Sequence, residues 1–174
     1  MHDRIPEKLT KTKRMQEGFE LLLAYPTVGN FLAYQFITDV NYSEMTNYSE
    51  SEFVIAGPGA LSGIKKCFSN TAGLNPSEVV KFMTDRQEIE FSRLGLSFRT
   101  LFGRRLQYID CQNIFCEIDK YTRVSHPELQ GIAGRRRIKH RFVPMMGSYE
   151  LWLPPKWSLA AQGNEVVLGD KSGI

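Results

Sequence analysis

The stretch Glu52-Phe53-Val54-Ile55-Ala56-Gly57-Pro58-Gly59-Ala60-Leu61-Ser62-Gly63-Ile64-Lys65-Lys66 constrains the chain most, because an apolar run enters Gly-Pro-Gly and leaves through small residues into paired lysines. Glycine lets one backbone approach another closely and accepts positive φ, so Gly57 and Gly59 mark a tight turn whose exposed amides, with that of Ala60, can hold an anion. Spacing separates three motifs. A phosphate loop of the G-x-x-x-x-G-K-[ST] type fails: Gly57 to Gly63 is one residue too long, Ile64 separates Gly63 from Lys65, and no Ser or Thr directly follows the lysines. A dinucleotide fingerprint fails as well, since its last small position falls on Ser62 and no strand-helix-strand context surrounds it. The helix-hairpin-helix pattern fits at every position, with Gly57 and Gly59 in the hairpin and Gly63 where the second helix packs on the first. A plain turn between helices that binds nothing uses the same residues.

The 174 residues suit one domain with a substantial core, and 42% apolar with 24% charged residues describes a globular chain. The net charge is only +3, so a nucleic-acid surface must come from clustering. Basic residues do cluster: Lys8, Lys11, Lys13 and Arg14; Lys65 and Lys66; Arg104 and Arg105; and the dense run Arg135, Arg136, Arg137, Lys139, His140 and Arg141. Any one such run also reads as a solvated face. Of these, Lys65, Lys66, Arg135, Arg136 and Arg137 are assigned to DNA phosphates together with the Gly57, Gly59 and Ala60 amides.

Three cysteines, Cys67, Cys111 and Cys116, form no C-x-x-C pair, and no histidines stand at ligand spacing, so neither a metal nor a disulfide framework nor any cofactor is expected. Polar residues 1–6 lack the pattern of a signal peptide, and the longest apolar run, residues 19–25 broken by Glu20, is far short of a membrane span. An intracellular protein is the expectation, cytoplasmic, or nuclear in a eukaryote.

Helical signals run through most of the chain. Residues 9–24 carry Met15, Phe19, Leu22 and Leu23 at helical period, ended by Pro26. Thr27 caps a helix to about residue 40, residues 41–50 are a loop, and the hairpin pair occupies residues 51–56 and 60–69. Asn75 before Pro76, with Glu78 in the first turn, starts a helix that runs to Leu94 before Gly95. Residues 106–121 form another helix through Leu106, Ile109, Cys111, Ile114, Phe115 and Ile118. Pro144, Gly147, Pro154 and Pro155 exclude long helices later. The division is one helical domain over residues 1–160 and a loose tail over residues 161–174.

Three blocks together carry a resemblance: Phe31-Leu32-Ala33-Tyr34-Gln35-Phe36-Ile37-Thr38-Asp39-Val40-Asn41-Tyr42; then Glu52-Phe53 with Gly57-Pro58-Gly59-Ala60-x-x-Gly63-Ile64; then Asp110-Cys111-Gln112-Asn113-Ile114-Phe115-Cys116-Glu117-Ile118-Asp119-Lys120-Tyr121. In this order they resemble the alpha-glutamyl/putrescinyl thymine pyrophosphorylase family, whose helical module also occurs in 5-hydroxymethyl-deoxyuridine DNA kinases. The resemblance implies an all-α, helix-hairpin-helix, DNA glycosylase-like domain acting on DNA that contains a modified pyrimidine. Its implied reaction replaces the pyrophosphate of an activated 5-hydroxymethyluracil with an amine or amino-acid co-substrate. Related glycosylases place an aspartate at the head of a helix after the hairpin, a position that corresponds here to Asp110, across a longer insert. Members generally carry a further helical segment before the Tyr-Gln block, which this chain begins close to, in the manner of a truncated member. Lacking a P-loop, the chain is not itself the kinase of such a pathway.

The chemistry asks for a base to take the amine proton and a polar group to hold the leaving phosphate. Asp110 is the candidate base, Lys120 the phosphate contact and Glu117 its neighbour, although Glu117 and Asp119 also read as ion pairs with Lys120 and Arg123. Gln35 and Asp39 share a helix face and suit the Watson–Crick edge of an extruded pyrimidine, or else cap the loop at Asn41, with Asn113 beside Asp110; Tyr34 and Tyr42 offer stacking surfaces or pack in the core. Two other functions use the same residues: excision of a modified pyrimidine by a glycosylase, and DNA binding without catalysis.

Overall fold

The computed structural model describes residues 4–98, 100, 103–129 and 152–158. Among them the chain forms seven α-helices and no strand: α1 (Ile5–Leu9), α2 (Met15–Leu23), α3 (Asn30–Tyr42), α4 (Pro58–Cys67), α5 (Pro76–Asp85), α6 (Gln87–Arg93) and α7 (Tyr108–Ser125), followed by a single 3-10 turn, Pro155–Trp157. None of these helices is long and apolar enough to cross a membrane. The three cysteines are free thiols.

Helix starts follow local chemistry where the caps are strong. The Glu78 amide donates to Asn75 Oδ1 at 3.0 Å and the Asn75 amide to Glu78 Oε2 at 2.7 Å, a reciprocal cap that fixes α5 behind Pro76 as expected. The expected helix over residues 76–94 is interrupted at Arg86, whose φ of −98° and ψ of 4° leave the helical region, and it ends before Gly95 at φ +66°. Residues 9–24 are likewise divided: Glu17 accepts from the Lys13 amide at 2.8 Å, which starts α2 afresh after the turn at Thr12. Thr27 does not cap α3. It lies at φ 69° in the preceding turn, and Gly29 takes the cap position.

The core joins α2, α3, α4, α5 and α7. Ala33, Ile37, Ala60 and Val80 have no measurable exposure, and Met15, Val54, Ile64 and Phe115 pack with them. Buried Asn41 holds the loop after α3, accepting from the Tyr48 amide at 2.9 Å and donating to its carbonyl at 3.2 Å.

One correction concerns the first arm of the expected hairpin pair. Residues 51–56 are not helical. They run irregularly across the core, with the Phe53 ring 5.1 Å from Phe19 and 6.0 Å from Tyr34, and with Val54 buried. β-Branched Val54 and Ile55 favour that path. The glycines serve a different contact, the crossing of α4 over α7. A Cβ on Gly63 would lie 2.0 Å from the Phe115 carbonyl oxygen, and one on Gly59 would lie 2.1 Å from Cys116 Sγ. The two positions are one helical turn apart on a single face, so two missing side chains let the helix axes approach. Gly63 therefore packs its helix on α7 rather than on a preceding hairpin partner.

Candidate functional site

At the N-terminus of α7, Arg104 from the segment before it, Glu50 from the loop after α3 and Trp157 from the 3-10 turn form a polar cluster with Asp110. Asp110, in the first turn of α7, accepts from the Gln107 amide at 2.8 Å through Oδ2, which also receives Arg104 Nη1 at 3.4 Å. The Arg104 guanidinium, 13% exposed, is paired with Glu50 as well and lies 4.0 Å from the centre of the Trp157 ring. Trp157 Nε1 donates to Glu50 Oε1 at 2.8 Å, and the ring meets Tyr42 edge-on at 5.6 Å. A carboxylate pair thus shares one arginine, with two aromatic rings closing the side.

Burial sets the electrostatics of this cluster. It pushes the Asp110 carboxyl above its ordinary value, against the opposing pull of the Gln107 amide and Arg104, while the Glu50 charge adds to the rise. Burial also raises the Tyr42 phenol to about 12, helped by the charges of Glu50 and Asp110, and raises Tyr34 further still. The tyrosines of α3 thus feel the charge of Asp110. Gln35 lies on the same face of α3 as Asp39 and Tyr42, and its Nε2 is covered by protein without a hydrogen-bond partner among the described residues. Asp39 is exposed, and its charge reaches Tyr42.

Other expected site residues fall elsewhere. Glu117 and Lys120 form an exposed ion pair with each other, and their positions seven and ten residues along α7 put them about 10 and 15 Å from Asp110 along the helix axis. The structure does not bring them to it. Tyr34 is 1% exposed and packed on Phe53, so no face of its ring is open to a base. Asn113 is exposed and accepts from Gln112 Nε2 at 2.7 Å.

The phosphate assignments divide in the same way. Gly57 is buried and its amide donates to Gln112 Oε1 at 3.1 Å, while the Ala60 amide is turned to the Cys116 sulfur that abuts Gly59. These amides stitch α4 to α7 instead of opening outward. Lys66 turns inward: its side chain is 4% exposed, with Nζ 2.8 Å from Asp119 Oδ1 and 2.7 Å from Thr122 Oγ1. Lys65, next to it, is exposed. Arg135, Arg136 and Arg137 lie outside the described residues.

Sequence reasoning singled out Asp110 and grouped Arg104 only with the basic runs. It missed Glu50 and Trp157, which reach the cluster from distant parts of the chain and carry no local signature.

The family described as 5-hmdU DNA kinase, helical domain, matches residues 1–131, which contain both α3 and α7. A curated relative, the 5-hmdU DNA kinase of Bacillus phage SP10, is 30% identical over 114 residues, covering 62% of this chain and 18% of that protein. The chain thus corresponds to less than a fifth of the length of that relative. No solved structure matches significantly. The described fold is all-helical, as the resemblance implied, and the match extends through the Tyr-Gln, glycine and Asp110 blocks that carried it. By that match the chain belongs to the family of 5-hmdU DNA kinase helical domains.

Proposed function

We propose that the chain acts on 5-hydroxymethyluracil in DNA, binding the base after it has turned out of the stack, against Gln35, Tyr42, Asp110 and the Arg104–Trp157 pair. The observation that carries this reading is the covered Gln35 amide nitrogen with no acceptor among the described residues. A buried donor left unpaired costs about 1–3 kcal/mol, and a pyrimidine carbonyl supplies the missing acceptor. The relative's name supports the choice of base, since that protein is a kinase of 5-hmdU DNA. Backbone contacts fall to exposed Lys65 and to Arg135, Arg136 and Arg137, and the helix-hairpin-helix mode of phosphate binding is not part of this reading.

A second reading is chemical: substitution at the exocyclic carbon, in which an amine or amino acid displaces pyrophosphate from the activated base. The raised proton affinity of Asp110 favours it, because a carboxylate near the reacting carbon must accept the amine proton. Incubating the protein with DNA bearing 5-hydroxymethyluracil pyrophosphate, with and without amine, and weighing the released nucleosides separates the outcomes. An aminated nucleoside supports transfer, and abasic sites support excision by a glycosylase. Selective binding to 5-hydroxymethyluracil DNA without either product leaves recognition as the whole function, and equal affinity for thymine DNA contradicts the proposal. Such substrates place the work inside a cell.

A further inference from the structure

The turn Pro155–Trp157 lies beyond the family-matched residues 1–131, yet it folds onto the cluster through Trp157. It also brings Lys156. The Lys156 ammonium is covered and has no hydrogen-bond partner among the described residues, although the charges of Glu50 and Arg104 both reach it. A covered ammonium without an acceptor is among the more costly arrangements a fold can keep.

Of the cluster's two carboxylates, Glu50 is the one whose charge reaches Lys156, and both are already engaged. Glu50 binds Arg104 and Trp157, and Asp110 Oδ2 binds the Gln107 amide and Arg104. No acceptor for Lys156 stands among the described residues, and a ligand can bring one. Its charge can be inferred: two carboxylates and two cations cancel formally, so a net anion would find no excess positive charge, whereas a neutral oxygen leaves the balance intact. Asp110 Oδ1 has no hydrogen bond among the described residues and remains an acceptor for an O–H. Among the oxygens that a 5-substituted pyrimidine offers, the one that both accepts and donates is a hydroxyl.

We propose that Lys156 distinguishes the 5-hydroxymethyl group of the bound pyrimidine from the 5-methyl of thymine, donating to its hydroxyl oxygen while a carboxylate of the cluster accepts a hydrogen bond from the hydroxyl. This assignment rests on the base-binding reading above. It makes Lys156 a specificity residue, because a site built around a hydrogen bond to a hydroxyl rejects the analogue that lacks one.

The test is equilibrium binding of the full chain and of Lys156→Met to three duplexes that differ at one base: thymine, 5-hydroxymethyluracil and its 5-phosphomethyl counterpart. The wild type should prefer 5-hydroxymethyluracil to thymine by roughly tenfold or more and gain nothing further from the phosphate. Lys156→Met should keep the thymine-DNA affinity, which reports an intact fold, and lose the preference. No wild-type preference over thymine overturns the base-binding reading and this inference with it. A preference that survives in Lys156→Met overturns the Lys156 assignment alone. Tightest binding to the phosphomethyl duplex, lost in the variant, makes the ligand an anion and overturns the hydroxyl. Loss of thymine-DNA binding in Lys156→Met makes the residue a general support and overturns its role in specificity.

Discussion

Asp119 lies 1% exposed between α4 and α7, and its carboxylate binds Ser62 Oγ at 2.6 Å, Lys66 Nζ at 2.8 Å and the Arg123 guanidinium. Burial alone would push its proton affinity up, but the three hydrogen bonds together hold it below the ordinary value. Removing one partner of a buried pair costs about 3–5 kcal/mol, so Lys66→Met should lower the unfolding free energy by about 3 kcal/mol. Lys65→Met, on the exposed side, should change it by less than about 0.5 kcal/mol in the same urea titration. The two acids then give opposite pH signs. Asp119, with its folded value lowered, stabilises above the unfolded carboxylate value and loses that contribution as pH falls through the folded one. Asp110, with its folded value raised, stabilises fully below the unfolded value and loses that contribution as pH rises through the folded one. Asp110→Asn keeps an oxygen for the Gln107 amide and should therefore be at least as stable as the wild type near neutral pH, an advantage that disappears in acid. A variant less stable at neutral pH and more stable in acid would contradict the sign.

At the scale of the element, the crossing of α4 on α7 depends on Gly59 and Gly63. Gly63→Ala sets its new carbon against the Phe115 carbonyl, which is backbone and cannot rotate away, so a loss of at least about 2–3 kcal/mol is expected. Gly29 meets nothing within 4 Å and caps α3 in an extended conformation, so Gly29→Ser should gain a few tenths of a kcal/mol, about what a serine cap adds over glycine. Thermal midpoints of the two variants check both signs. Elements were legible where their signals are local. Asn75, Pro76 and Glu78 announce α5, and the apolar stripe of Ile109, Cys111 and Phe115 announces α7. Residues 51–56 were not legible, because their path is set by Phe53 meeting Phe19 and Tyr34 across the fold. The glycines were legible as a close approach, but what they approach was not: Gly63 has no sequence signal that points to Phe115. In the candidate site, Asp110 stands out as an acid opening a helix. Its cluster does not, since Arg104 reaches Glu50 across 54 residues and Trp157 reaches it across 107.

For the whole molecule, a net charge of +3 means that the proposed DNA binding rests on local clusters, and the densest of them begins at Arg135. Replacing Arg135, Arg136 and Arg137 by alanine should lower the magnitude of the log-affinity versus log-salt slope by about 0.9 for each duplex phosphate that the variant no longer neutralises. An unchanged slope would remove that run from the interface. Trp157 lies at the proposed base site and reports on its occupancy. The chain has two tryptophans, and Trp152 is 71% exposed, so Trp152→Phe leaves Trp157 as the sole indole against Arg104, Tyr42 and Glu50. The decisive measurement is the emission of that variant during titration with two duplexes, identical but for one 5-hydroxymethyluracil in place of thymine. A base bound beside Trp157 should give a saturable change in its emission with the 5-hydroxymethyluracil duplex, at concentrations where the thymine duplex leaves it unaltered. The same response to both duplexes, or binding of the modified duplex with no change at Trp157, would contradict it.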